Sequence, residues 1–174
     1  MRHAGFTLAE LLIALLILGV IATFTIPKVL QSQQNNRNIA TAKEVVSMLS
    51  GSYEVYKLNG TASATTSTGD MSPYMNYVAV DTTSNFDGVA PCNFAGSECL
   101  KLHSGGLLFI GVPAGNDFGG TSATDYLAVF YDPEPNQNGN AITFALYYNG
   151  RITTGDEAGV CCGAPADPAW WTGW

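Results

Sequence analysis

Residues 5–30 read Gly5-Phe6-Thr7-Leu8-Ala9-Glu10 and then LLIALLILGVIATFTIPKVL, ending at Leu30. No charged residue falls between Leu11 and Pro27. Wound as a helix at ~1.5 Å per residue, Phe6 to Ile26 is ~31 Å long, which matches the apolar thickness of a bilayer. Only Met1 to Gly5 precede it, with Arg2 as their one fixed side-chain charge. One carboxylate, Glu10, lies inside the run, a turn from its start. A secretory signal peptide would need a small-residue cleavage site after the run, and Ala22-Thr23-Phe24 fits that pattern badly. A plain membrane anchor leaves Glu10 without a purpose. A third reading gives it one. An ionisable group at membrane depth costs ~2.5–3.5 kcal/mol on insertion scales, so it marks function and calls for a partner.

The rest of the chain differs in composition. The 174 residues carry 7 Lys plus Arg against 14 Asp plus Glu, for a net charge of -7. Charged residues make up 12%, about half the ~25% of an ordinary soluble domain. The balance is made up by Gly, Ser, Thr and Asn, a composition that suits exposure outside the cytoplasm. A disordered acidic tail would be richer in charge and poorer in aromatics. Nucleic-acid binding through a basic face is disfavoured, because phosphate contacts need Lys and Arg. Length allows one domain beyond the apolar segment.

Gly5, Phe6, Glu10 and Pro27, at this spacing, resemble the N-terminus of type IV pilins and of the related pseudopilins of type II secretion. The resemblance covers roughly residues 1 to 30. It implies that residues 1–5 are a prepilin leader, cut after Gly5 by a prepilin peptidase that then methylates the new N-terminus, Phe6. It implies that Glu10 docks the amine of Phe6, within one subunit or between staggered subunits, and that Pro27 kinks the helix. The partners implied are identical or related pilin subunits, the peptidase, and the assembly machinery of the inner membrane. The chain would insert there as a single-pass prepilin, with Arg2 on the cytoplasmic side, and then enter an extracellular or periplasmic filament. A structural subunit of a type IV pilus-like filament is expected, with no enzymatic activity, no cofactor and no direct nucleic-acid contact. A type II secretion pseudopilin driving export is the alternative. A membrane-tethered binding or enzyme domain is a distant one. The physics agrees with the docking role: an amine in an apolar bundle needs a counter-charge, and breaking such a pair costs ~3–5 kcal/mol.

One helix is expected over residues 6–58, with 6–27 as membrane span and filament core. Pro27 removes a backbone hydrogen bond and should kink or locally melt it. Gln31 to Asn38 is polar all round and marks the exit from the bilayer. Beyond it Ile39, Ala42, Val45/Val46, Leu49, Tyr53 and Tyr56 recur at helical spacing, a stripe to be buried against a sheet. Asn59-Gly60 supplies the stop. Residues 59–174 are expected to form a β-rich head with a disulfide-closed C-terminal region. The Ser/Thr-rich stretch 61–69 reads as a loop, and Asn59-Gly60-Thr61 fits an N-glycosylation triplet. Strands are expected at Tyr74–Val80, Leu107–Val112, Asp125–Tyr131, Ala141–Tyr148 and Arg151–Thr154. Asn149-Gly150 signals a two-residue hairpin before the last of these. The last three strands, joined by short turns, read as an antiparallel meander. The fold class is α+β: a long N-terminal helix packed on a small antiparallel sheet.

Cys92, Cys99, Cys161 and Cys162 allow three full pairings. Because adjacent cysteines bridge each other only with strain, two bonds tying the 92–99 loop to Cys161 and Cys162 are favoured. Cys92–Cys99 with Cys161–Cys162 is the second arrangement. Many type IV pilins close a C-terminal region with a disulfide, which tips the resemblance from pseudopilin to pilin. A zinc site is disfavoured by the absence of a C-x2-C pair. Asp132, Glu134, Asn136 and Asn138 place oxygens at alternate positions, making them weak calcium candidates. The EF-hand pattern fails, since Gly139 falls at the eighth position and Thr143 where the bidentate Glu belongs. A hairpin loop stiffened by Pro133 and Pro135 is preferred. Trp170, Trp171 and Trp174 either dock on the sheet or form an exposed aromatic patch. His103 is the only histidine after the leader, and no nucleophile motif accompanies it.

Overall fold

The computed structural model describes residues 7–60, 62–88, 90–92, 98–110 and 117–154. Helix α1 runs Leu8–Leu58, unbroken through Pro27. The chain divides into two compact units, Met1–Arg37 and Asn38–Trp174. In the first unit α1 carries its apolar side chains in the open: Leu12, Leu16, Val20 and Phe24 are all exposed. The hydroxyls of Thr23 and Thr25 donate to the carbonyls of Val20 and Ile21, each at 2.8 Å. Both polar groups are thereby satisfied within the helix, as apolar surroundings require.

In the second unit the same helix changes character. Ala42, Val45, Leu49 and Tyr53 are buried, and Ile39, Val46, Met48 and Tyr56 pack beside them. This is the stripe expected from the 3- and 4-residue spacing. After α1, Ser67 caps a short helix, α2 (Thr68–Met71), in a capping box with Asp70, and a 3-10 turn follows at Ser72–Tyr74. The strand expected over Tyr74–Val80 is therefore mostly absent. Pro73 has no N–H to lose in the first turn of a helix, so it favours the turn rather than an extended start. Strand β1 begins only at Ala79 and ends at Asp81. The Asp81 carboxylate accepts N–H bonds from Thr83 (2.8 Å) and Ser84 (2.9 Å). Those bonds hold its pKa well below the usual carboxylate range.

The remaining strands are β2 (Asn85–Phe86), β3 (Ala90–Pro91), β4 (Glu98–Lys101), β5 (Leu107–Ile110), β6 (Tyr126–Asp132), β7 (Ile142–Tyr147) and β8 (Ile152–Thr154). Six of the eight form one sheet in the order β1-β4-β5-β6-β7-β8, and β2 pairs with β3 separately. Every pairing is antiparallel. The expected meander of the last three strands is present, and the architecture is α+β. Leu127, Val129 and Tyr131 of β6, with Ile142, Phe144 and Leu146 of β7, face the α1 stripe in one cluster.

The last hairpin corrects the two-residue expectation. Tyr147 N–H donates to Arg151 O and Gly150 N–H donates to Tyr147 O, each at 2.8 Å. The loop is thus Tyr148-Asn149-Gly150, and of these only Gly150 takes a positive φ, at 93°. A three-residue loop of this kind places glycine at the left-handed position before the second strand. Contacts to α1 and its neighbours hold Tyr148 in place: the Tyr53 hydroxyl donates to Tyr148 O at 2.6 Å, and Phe118 packs edge-on to the Tyr148 ring.

The cysteine pairing is corrected too. Cys92 and Cys99 are bonded to each other, with Cα atoms 5.3 Å apart. The favoured arrangement, two bonds tying this loop to Cys161 and Cys162, is excluded. Packing of the two cysteines in one cluster accounts for it. Cys99 sits on β4 opposite Phe109, Cys92 follows β3, and Phe86 and Leu107 bury both sulfurs in one small cluster. Cys161 and Cys162 lie outside the described residues.

Candidate functional site

The candidate site at the start of α1 is built from Thr7 and Glu10. The Thr7 N–H and the Thr7 hydroxyl both donate to Glu10 Oε2 at 2.8 Å. The Glu10 N–H donates back to Thr7 Oγ1 at 3.3 Å. This reciprocal pair is a capping box: Thr7 is the cap residue of α1 and Glu10 the third helical residue. It satisfies two of the N–H groups that a helix start leaves without partners. It also sets a negative charge at the positive end of the helix dipole. Glu10 is thus held on the first turn, with its carboxylate turned toward the chain that enters the helix. Gly5 and Phe6, the expected cleavage and methylation positions, lie outside the described residues. Thr7 was missed as a functional residue in the sequence reading, although the T-x-x-E spacing of Thr7-Leu8-Ala9-Glu10 carries the signal.

The site opens onto an apolar span. Among the described residues one helix is long and apolar enough to cross a membrane; its most apolar window has a mean hydropathy of 2.5 and none of that window is buried. The carboxylate therefore stands at one end of an exposed hydrocarbon surface.

The weak calcium candidates lie at the end of β6 and in the loop that follows it. Asp132 is fully buried; its Oδ2 accepts the Asp87 N–H and its Oδ1 the Glu134 N–H, each at 2.8 Å. Burial pushes its pKa up to about 6, against the opposing effect of those two hydrogen bonds. Asp87 Oδ1 accepts N–H bonds from Gly139 (2.8 Å), Asn140 (3.1 Å) and Ala141 (3.3 Å). Glu134 accepts from the side-chain amides of Asn38 on α1 (2.7 Å) and Asn140 (3.3 Å). Asn136, at φ 68°, exchanges two bonds with the Asn85 backbone. These oxygens are directed at N–H donors, and they tie the 132–141 loop to the β2 hairpin and to α1. Asn138 lies in the same loop, its backbone close against Gly88. Among the described residues no three His, Cys, Asp or Glu side chains gather as metal ligands would.

His103 sits in the turn between β4 and β5, with Nε2 3.2 Å from Asn76 Oδ1. It lines a cavity of about 90 Å³ with Glu44, Val45, Met48 and Leu102. Of the glycosylation triplet, the Asn59 side-chain amide donates to the Tyr74 hydroxyl at 3.0 Å. Thr61, Trp170, Trp171 and Trp174 lie outside the described residues.

Comparison with known proteins gives one match. Residues 1–26 match the family model described as the prokaryotic N-terminal methylation motif, the prepilin-type motif of type IV pilins and pseudopilins. No curated protein and no solved structure matches the chain.

Proposed function

We propose that the chain is a structural subunit of a type IV pilus-like filament. The observation that carries this reading is the prepilin-type motif at residues 1–26, which runs into a helix long and apolar enough to cross a membrane. In this reading a prepilin peptidase cuts after Gly5 and methylates Phe6. The span holds the precursor in the inner membrane, and later the same apolar surfaces pack against those of other subunits in the filament core. Glu10 receives the amine of Phe6, its own or a neighbour's. The capping box supports that role, because it fixes the carboxylate on the first turn against Thr7, the residue that follows Phe6 in the sequence. No catalytic step is assigned to the head, and the head residues face the medium.

The test replaces Glu10 and Gly5 separately. Glu10→Val should leave the precursor processed and membrane-bound but strongly reduce its incorporation into filaments. Filament assembly at normal levels would refute the docking role. A bulky residue at Gly5 should leave full-length precursor in the membrane, and normal processing would refute the cleavage site.

A further inference from the structure

The β4–β5 turn stands beside α1, and a cavity of about 90 Å³ lies between them. That volume is well above the ~10–15 Å³ that one water needs. It is well below the ~300 Å³ at which pockets for whole small molecules begin. The cavity therefore suits one group of side-chain size. Its lining divides by chemistry. Val45, Met48 and Leu102 give an apolar wall, and Glu44, Asn76, His103 and Ser104 supply polar groups. Val45 and Leu102 are buried in the main core of the head, so the wall is fixed. Glu44, Asn76 and His103 are exposed, so the polar groups stand where solvent enters.

Glu44 carries the one fixed charge of the lining. Its neighbours at helical spacing are Ala40, Thr41, Ser47 and Met48, so no cation on the same face of α1 pairs with it. His103 Nε2 lies 3.2 Å from Asn76 Oδ1. With that nitrogen donating, Nδ1 keeps a lone pair, and Ser104 adds a hydroxyl oxygen. The cavity thus offers acceptors and one negative charge beside an apolar wall. An anion would meet the Glu44 carboxylate in a chain of net charge -7. A purely apolar group would strip water from the acceptors and return no hydrogen bond. A short alkyl chain that ends in an ammonium satisfies both halves, with methylenes against the wall and N–H donors toward the acceptors.

We propose that this cavity binds a primary alkylammonium group, with Glu44 as its counter-charge and Val45, Met48 and Leu102 as the seat of the alkyl chain. Two sources carry this chemistry, a free amine and the tip of a lysine on a second copy of the chain, and a titration separates them. The site lies wholly within the unit Asn38–Trp174, and it does not depend on the filament reading.

The full chain, in a non-ionic detergent, is titrated with n-butylammonium at fixed pH and ionic strength, and the ring signals of isotope-labelled histidine are followed. His103 reports from the cavity, and His3, the only other histidine, is the internal reference. Expected is a saturable shift of His103 alone, half complete at roughly millimolar amine, the scale for so small a ligand. Neither n-butanol nor butyrate should reproduce it. Glu44→Gln, at an exposed position that the fold does not need, should weaken binding about five- to ten-fold. Glu54→Gln, exposed further along α1, should leave it unchanged. The absence of a saturable shift, an equal shift with butanol or butyrate, or an unchanged affinity in Glu44→Gln overturns the proposal. A His103 signal that moves to the bound position when the chain alone is concentrated identifies a lysine of a second copy as the occupant. A signal that moves only when amine is added identifies a free amine.

Discussion

Leu49 and Leu16 are leucines of one helix in opposite circumstances, and replacing each by alanine tests the division of α1. Leu49 is 0% exposed, in contact with the cluster that includes Leu127, Phe144 and Leu146. Leu16 is 69% exposed. Truncating a fully buried leucine removes its transfer free energy and leaves a cavity, at a cost of about 2–5 kcal/mol. Leu49 is flanked along the stripe by Val45 and Tyr53, which β-sheet side chains hold in place, so little collapse into the gap is available and about 3 kcal/mol is expected. At about 4 °C per kcal/mol for a domain of this size, the head should melt about 12 °C lower. Leu16→Ala removes no contact within the head and should leave that transition within a degree or two. The assay is thermal unfolding followed by tyrosine circular dichroism, with both variants in the same detergent. Equal shifts for the two variants, or none for Leu49→Ala, would refute the assignment of residues 38–58 as the core element of the head.

Three further outcomes follow from particular contacts. Asp132 has its folded pKa raised from 3.8 to about 6, so the fold prefers the protonated acid; the stabilisation is complete below the unfolded value and is lost as pH rises through about 6. Urea unfolding should therefore show a more stable head at pH 5 than at pH 7.5, and Asp132→Asn should flatten that dependence. A Cβ on Gly106 would come within 2.8 Å of Asp132 O and 2.7 Å of the Tyr131 ring. Gly106→Ala should cost about 1–3 kcal/mol by overpacking, read as a lower denaturant midpoint at unchanged slope. Finally, proteolysis under non-reducing conditions should release Cys92 and Cys99 in one linked fragment that lacks Cys161 and Cys162, as mass spectrometry would show.

The helix and the main strands were legible because their signals are local and periodic. The spacing of Ala42, Val45, Leu49 and Tyr53 declares a buried face whatever it packs against, and the short apolar, β-branched and aromatic runs of Tyr126–Asp132 and Ile142–Tyr147, bounded by turn residues, do the same for a sheet buried on both faces. What escaped was decided by contacts distant in sequence. Strands β2, β3 and β4 are two to four residues long, too short to show a period, and they exist because Phe86, Cys99 and Leu107 share one cluster. The three-residue loop at Tyr148 depends on the Tyr53 hydroxyl, ninety-five positions earlier. The cysteine pairing turned on the same limit: strain between adjacent cysteines was a sound argument, yet Cys92 and Cys99 are brought together by the packing of Phe86, Leu107 and both cysteines in one cluster. At the candidate site the reverse holds. Glu10 stood out by its cost in an apolar run, and Thr7 could have been read with it, since the capping box is a local pattern. In the acidic loop, the spacing of oxygens at alternate positions did not reveal their partners, because the backbone N–H groups that Asp132 and Asp87 accept from lie on both the loop and the β2 hairpin.

The most direct measurement is mass spectrometry of filaments sheared from the cell surface, read at the N-terminus of this chain. The account predicts a chain beginning at Phe6, one methyl group heavier than the unmodified residue, and lacking Met1 to Gly5. A chain that begins at Met1, that is cut elsewhere, or that is absent from the filaments while abundant in the membrane would contradict it.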